Sequence, residues 1–144
     1  MNLYKNLINE IEKTNYDEIQ FERNPGKLEF IDKELDDAYH QTVLKDAIMH
    51  DQDKGQLKIV FTPIHGTSIT AIPQVLKKAG YKKVFIVKEQ EKPDGDFPTV
   101  ASPNPEEREA LNLAVKLANQ KQADIVLGTD PDSDRLGVVI RDLN

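Results

Sequence analysis

From residue 57 onward, apolar positions fall into short, nearly continuous runs separated by stretches with helical spacing. The runs "LKIVF" (57–61), "VFIV" (84–87) and "DIVL" (124–127) have the length of strands. They are apolar on both alternations, which predicts strands covered on both faces of a sheet. The segments between them predict helices. "ITAIPQVLKKAG" (69–80) ends on Gly80, a good C-terminal stop, and "PEEREALNLAVKLANQKQ" (105–122) has Asn104 as N-cap and Pro105 at its first position. A fourth run, "RLGVVIRD" (135–142), predicts one more strand.

Strand, helix, strand, helix, strand is the pattern of right-handed βαβ units on a parallel sheet. The loop 129–135 is too short for a parallel crossover, so the last strand must return antiparallel. The predicted fold is α/β: a three-layer α/β/α sandwich on a mostly parallel four-stranded sheet, preceded by N-terminal helices.

Residues 1–50 carry helical signals. Leu3, Leu7, Ile8 and Ile11 recur at helical spacing, and "NPG" (24–26) marks a turn followed by a short strand signal at 28–31. "DKELDDAYHQTVLKDAIMH" (32–50) predicts a second helix with Leu35, Ala38, Tyr39, Val43, Ala47 and Ile48 on one face and an acidic first turn. The expected organisation is a helical segment, 1–50, packing on an α/β domain, 51–144.

Composition narrows the class. A hydrophobic content of 38% with 31% charged residues describes a soluble globular chain. The net charge of −6 argues against nucleic acid or an anionic membrane as partner. There is no cysteine, which excludes disulfide frameworks and thiolate metal sites. No apolar run approaches the ~20 residues of a membrane span, and the N-terminus is too polar for a signal peptide. A cytoplasmic location is expected.

The chemistry concentrates in "GTDPDSDRLG" (128–137), at the carboxyl end of the third strand. Asp130, Asp132 and Asp134 repel one another unless a cation sits between them. In an extended loop alternate side chains share a side, so the three can converge, and Pro131 helps by restricting its own backbone and that of Asp130. Three carboxylates without His or Cys favour Mg²⁺, or Mn²⁺, over zinc. The loop is not an EF-hand, because Arg135 and Arg141 stand where that loop needs Gly and Glu. Arg135 is placed to pair with a phosphate bound at the ion. By itself, D-x-D-x-D is equally compatible with a plain acidic loop.

This loop resembles the metal-binding loop of the α-D-phosphohexomutases, the phosphoglucomutase and phosphomannomutase superfamily. "FTPIHGTS" (61–68) is similar to the turn after the first strand of that family's second domain, and "DFPTVASPNPEEREAL" (96–111) to the stretch before its following helix. With the three motifs in order, the resemblance covers about residues 30–144. The resemblance implies that Asp130, Asp132 and Asp134 bind Mg²⁺ and that Arg135 contacts the phosphate of a phosphoserine. It implies a phosphohexomutase that interconverts hexose 1-phosphate and hexose 6-phosphate, a phosphosugar substrate and further domains of the same enzyme as partners. Those domains would carry the phosphoserine, the sugar-binding loop and the phosphate-binding loop, so the 144 residues alone are expected to be inactive.

Ser102, in "TVASPNP", is not that phosphoserine: Pro103 replaces the histidine of the family's T-A-S-H-N-P motif, and the segment reads as a helix entrance. His65 reads as a residue shaping the strand-to-helix turn or meeting a neighbouring domain, with an anion site at the helix start as the other reading. His40 and His50 are expected in solvent, and Lys77, Lys78, Lys82 and Lys83 at a helix end and its flank. A Mg²⁺-dependent phosphatase and a non-catalytic metal-binding domain are the alternatives. A haloacid dehalogenase-type phosphatase would need its aspartate pair after the first strand, where this chain has "TPIHGT"; a receiver domain would need an acidic pair there too.

Overall fold

The computed structural model describes residues 3–22, 24–31, 33–47 and 54–142. Contacts divide the chain into two compact units, 1–32 and 33–144. The first contains helix α1 (Leu3–Lys13), followed by two single 3₁₀ turns at Tyr16–Glu18 and Pro25–Lys27. The strand signal at 28–31 gives no strand, since those residues pair with no partner in a sheet.

In the second unit, helix α2 (Lys33–Asp46) precedes strand β1 (Lys58–Thr62), helix α3 (Ile72–Lys78), strand β2 (Lys83–Ile86), helix α4 (Asn112–Lys121), strand β3 (Ile125–Thr129) and strand β4 (Leu136–Ile140). The sheet order is β2-β1-β3-β4. β1 runs parallel to both β2 and β3, and β4 returns antiparallel to β3, as the loop length required. The α/β fold is therefore as expected.

β1 is central, and its Ile59, Val60 and Phe61 are buried. Burying each such side chain contributes about 1.5–3 kcal/mol. On one face Val60 and Val126 pack with Ala114 and Ala123 under α4, joined by Leu117. The connection from β1 to β2 moves one way along the sheet and the connection from β2 to β3 moves back past β1. With right-handed crossovers, this places α3 and α4 on opposite faces.

Helix ends follow the sequence at one point and depart from it at another. α3 stops as expected at Gly80, which adopts φ 97°. Gly80 N–H donates to Lys77 carbonyl and Tyr81 N–H to Leu76 carbonyl, both at 3.1 Å, the pair of bonds that closes a Schellman end. The helix expected from residue 105 begins later. Asn104 caps a turn by accepting from Glu106 N–H at 3.1 Å, and regular helix starts only after a 3₁₀ turn at Arg108–Leu111.

Helix α2 departs from the predicted burial. Leu35 and Tyr39 on its apolar stripe stay exposed, and His40, expected in solvent, is 3% exposed. Its Nδ1 accepts from Lys78 Nζ at 3.1 Å, and Lys78 also pairs with Asp37 at 2.7 Å, so a polar cluster joins α2 to α3. Lys33 donates to Asp37 from the other side. The hydrogen bond from Lys33, with that from Lys78, lowers the Asp37 carboxyl to about 2. His50 lies outside the described residues. Among the described residues, no helix is long and apolar enough to cross a membrane.

Candidate functional site

The carboxyl ends of β1 and β3 lie side by side, with Thr62 opposite Gly128 in the register. In open α/β sheets this is where ligands bind. Two loops meet there: the turn 63–67 after β1 and the hairpin loop 130–135 between β3 and β4.

The hairpin loop brings the three predicted aspartates together. One oxygen from each of Asp130, Asp132 and Asp134 lies within 4.8 Å of the others. The convergence does not come from an extended loop, as alternation predicted. The backbone turns at 131–132 and bends at Ser133, which adopts φ 71°. Ser133 N–H donates to the Asp130 carbonyl at 3.2 Å, and Arg135 N–H donates to Asp130 Oδ1 at 3.0 Å. Asp130 thus anchors the loop and is buried, while Asp132 and Asp134 are exposed.

Electrostatics differ among the three. Burial disfavours the charge of Asp130, but the Arg135 backbone N–H, together with hydrogen bonds from Asp134 and Asp132, outweighs it and leaves its carboxyl below the ordinary range. The hydrogen bond to Asp130 and the charges of Asp132 and Asp130 push Asp134 up. The upward shift of Asp134 reflects the repulsion that the sequence implied. The set is of hard oxygens only, with two exposed members leaving room for water or a ligand, which is the donor chemistry that Mg²⁺ and Mn²⁺ take.

Arg135 lies beside the carboxylates. Its Nε is 4.0 Å from Asp130 and 3.9 Å from Asp134, and Nη1 is 3.9 Å from Glu106. The side chain is half exposed, so the guanidinium remains open to an incoming anion. Glu106, from the turn before α4, was not singled out in the sequence. Only the fold brings it next to Arg135.

The turn after β1 supports this loop. Thr67 donates to the Pro131 carbonyl twice, from N–H at 2.9 Å and from its hydroxyl at 3.1 Å. Ser68 and Thr129 hydroxyls are 2.6 Å apart. Gly66 matters by close approach, because its own backbone is extended (φ −100°, ψ −175°) and any residue could adopt it. His65 shapes the turn with both ring nitrogens engaged, Nδ1 3.1 Å from the Lys92 carbonyl and Nε2 2.9 Å from Thr99 Oγ1. Below it, Thr62 hydroxyl donates to Gln90 Oε1 at 2.7 Å, and Gln90 Nε2 donates to Thr99 at 3.1 Å. Gln90 is fully buried and gave no signal in the sequence. Ser102 hydroxyl donates to Glu107 at 2.9 Å, at the entrance to α4.

Comparison with known proteins agrees with this architecture. Residues 37–143 match the family "Phosphoglucomutase/phosphomannomutase, alpha/beta/alpha domain II". The chain is 46% identical over 89 residues to the phosphoglucomutase of Staphylococcus epidermidis, covering 62% of this chain and 16% of that protein. It is 41% identical over 110 residues to that of Staphylococcus aureus, covering 72% of this chain and 20% of that protein. Among solved structures, a phosphoglucomutase/phosphomannomutase family protein from Burkholderia thailandensis superposes with a TM-score of 0.59 at 26% identity, over 74% of this chain and 21% of that one. The protein belongs to the phosphoglucomutase/phosphomannomutase family, and its match falls on the family's second domain. It spans about a fifth of the length of the curated relatives it matches.

Proposed function

We propose that this chain is the cation-binding domain of a phosphohexomutase that interconverts hexose 1-phosphate and hexose 6-phosphate. The observation that carries the reading is the convergence of Asp130, Asp132 and Asp134 within 4.8 Å, with the Arg135 guanidinium beside them. Family membership supports the reaction class.

In this reading the three aspartates hold Mg²⁺, with Mn²⁺ as a substitute. When bound, the ion offsets charge on the transferring phosphoryl group. The aspartates act as ligands and not as bases. Asp130, fixed by the Arg135 N–H, sets the position of the site, and Asp132 and Asp134 close around it from the exposed side. Arg135 presents a planar fork of donors to a phosphoserine phosphate supplied by another domain, which binds and orients that group. The phosphoserine, the sugar-reading loop and the phosphate-binding loop lie in partner domains of the same enzyme, and the substrate is a phosphosugar in the cytoplasm.

The 144 residues alone are therefore expected to leave glucose 1-phosphate unchanged. The test is the coding frame on either side of this segment. A frame that continues upstream into a T-A-S-H-N-P serine loop, and downstream through roughly two more domains of ordinary size, supports the proposal. Stop codons close on both sides, or robust turnover by the isolated chain, would overturn it.

A further inference from the structure

The turn after β1 holds two consecutive non-glycine residues in left-handed backbone, Ile64 at φ 45° and His65 at φ 60°. A β-branched residue rarely adopts this conformation, and it persists only where the surroundings over-determine it. Here those surroundings are the segment 90–99, which holds His65 in four places. His65 N–H donates to the Gln90 carbonyl and Asp94 N–H donates to the His65 carbonyl, both at 3.0 Å. The two ring nitrogens meet the Lys92 carbonyl and the Thr99 hydroxyl.

A carbonyl can only accept, so Nδ1 carries the hydrogen, and in the neutral ring Nε2 accepts from Thr99. Thr99 Oγ1 accepts in turn from Gln90 Nε2, and donors and acceptors run in one direction through the cluster. The opposite side of the same turn carries the hairpin loop. Thr67 holds the Pro131 carbonyl, and Gly66 lies against the Pro131 backbone. Pro131 stands between Asp130 and Asp132.

We propose that His65 is a positioning residue for the Asp130–Asp134 loop, holding the strained turn 63–67 in the shape against which Pro131 seats. The inference rests on the cation-binding reading of that loop. His65 acts through Gly66, Thr67 and Pro131, as outer partners of metal ligands act by orienting them.

The test uses the whole chain with His65→Ala, the milder Thr99→Val, and Val84→Ala on the edge strand β2 as a comparator. Two quantities are read: Mn²⁺ affinity, and amide hydrogen exchange at Thr67 and Arg135 in metal-free protein. Both His65→Ala and Thr99→Val are expected to speed exchange at Thr67 and Arg135 and to weaken Mn²⁺ binding about 10–100-fold. Val84→Ala is expected to change neither. Exchange at Thr67 in both variants equal to that in Val84→Ala would overturn the inference. If the unmodified chain binds no Mn²⁺, the cation reading fails while the exchange rates still decide the positioning. Should His65→Ala not fold, Thr99→Val carries both readouts.

Discussion

Gly66 faces Pro131 so closely that a Cβ at position 66 would stand 2.4 Å from Pro131 Cα and 2.7 Å from its carbonyl oxygen. Both atoms are backbone and cannot swing aside. The separation between the turn after β1 and the aspartate loop is thus set by the absence of a side chain.

Gly66→Ala is expected to destabilise the chain by about 1–3 kcal/mol, because one loop must move to admit the methyl group. Gly128→Ala offers the contrast. Its Cβ would meet Leu111 Cδ2 at 2.4 Å and Thr62 Cγ2 at 3.2 Å, which are side-chain and not backbone atoms. Urea titrations of the two variants should give the larger drop in midpoint for Gly66→Ala, with the slope unchanged in both.

Gln90→Leu removes a buried amide: the Thr62 hydroxyl loses the acceptor of its hydrogen, and the Thr99 hydroxyl loses a donor while keeping its bond to His65. An unsatisfied buried polar group costs about 1–3 kcal/mol, so a loss of at least this size is expected in thermal or urea unfolding. A stability equal to that of the unmodified chain would show that the cluster contributes nothing.

Much of the fold was legible because its signals are local. The strands of the sheet are short apolar runs, the antiparallel return of β4 follows from a loop too short to cross over, and the Gly80 stop lies at the helix end it terminates. The aspartate cluster was legible for the same reason, since its three members fall within five consecutive positions. The manner of its convergence was not: the loop turns at Pro131–Asp132, is left-handed at Ser133, and has its Pro131 carbonyl held by Thr67, more than sixty residues earlier in the chain. His65 was legible as a residue shaping the turn, but distance in sequence concealed its ring partners, which lie 27 and 34 residues away. His40 was misread because the apolar stripe of α2 suggested one buried face, whereas a charged contact with Lys78 buries another.

Acid dependence of stability has an identifiable contributor in Asp37. Its folded value of about 2 lies below the ordinary 3.8, so its stabilisation is present above that ordinary value and is lost as pH falls toward about 2. Asp37→Asn is expected to flatten the acid limb of a stability-against-pH curve in that window. An acid limb identical to that of the unmodified chain would remove Asp37 from the account.

Cation binding should depend on pH above the ordinary carboxylate value of 3.8. Asp134 is raised by its hydrogen bond to Asp130 and by the neighbouring negative charges, so a proton must leave before the site can close on a cation. Mn²⁺ affinity is expected to rise with pH as Asp134 loses its proton and then to level off, with proton release on binding at the acid side. Calorimetry in two buffers of different ionisation enthalpy measures that release. Affinity independent of pH through the carboxylate range would contradict the assignment of Asp134.

The most direct measurement is a Mn²⁺ titration of the whole chain, followed by electron paramagnetic resonance, for the unmodified protein and for Asp132→Asn. Asp132 is exposed, so its replacement tests binding without disturbing the loop's anchor at Asp130. Saturable binding of one ion per chain, displaced by Mg²⁺ and weakened about tenfold or more by Asp132→Asn, is the predicted result. No saturable binding, or the same affinity in both proteins, would contradict the claim that these three aspartates hold a divalent cation.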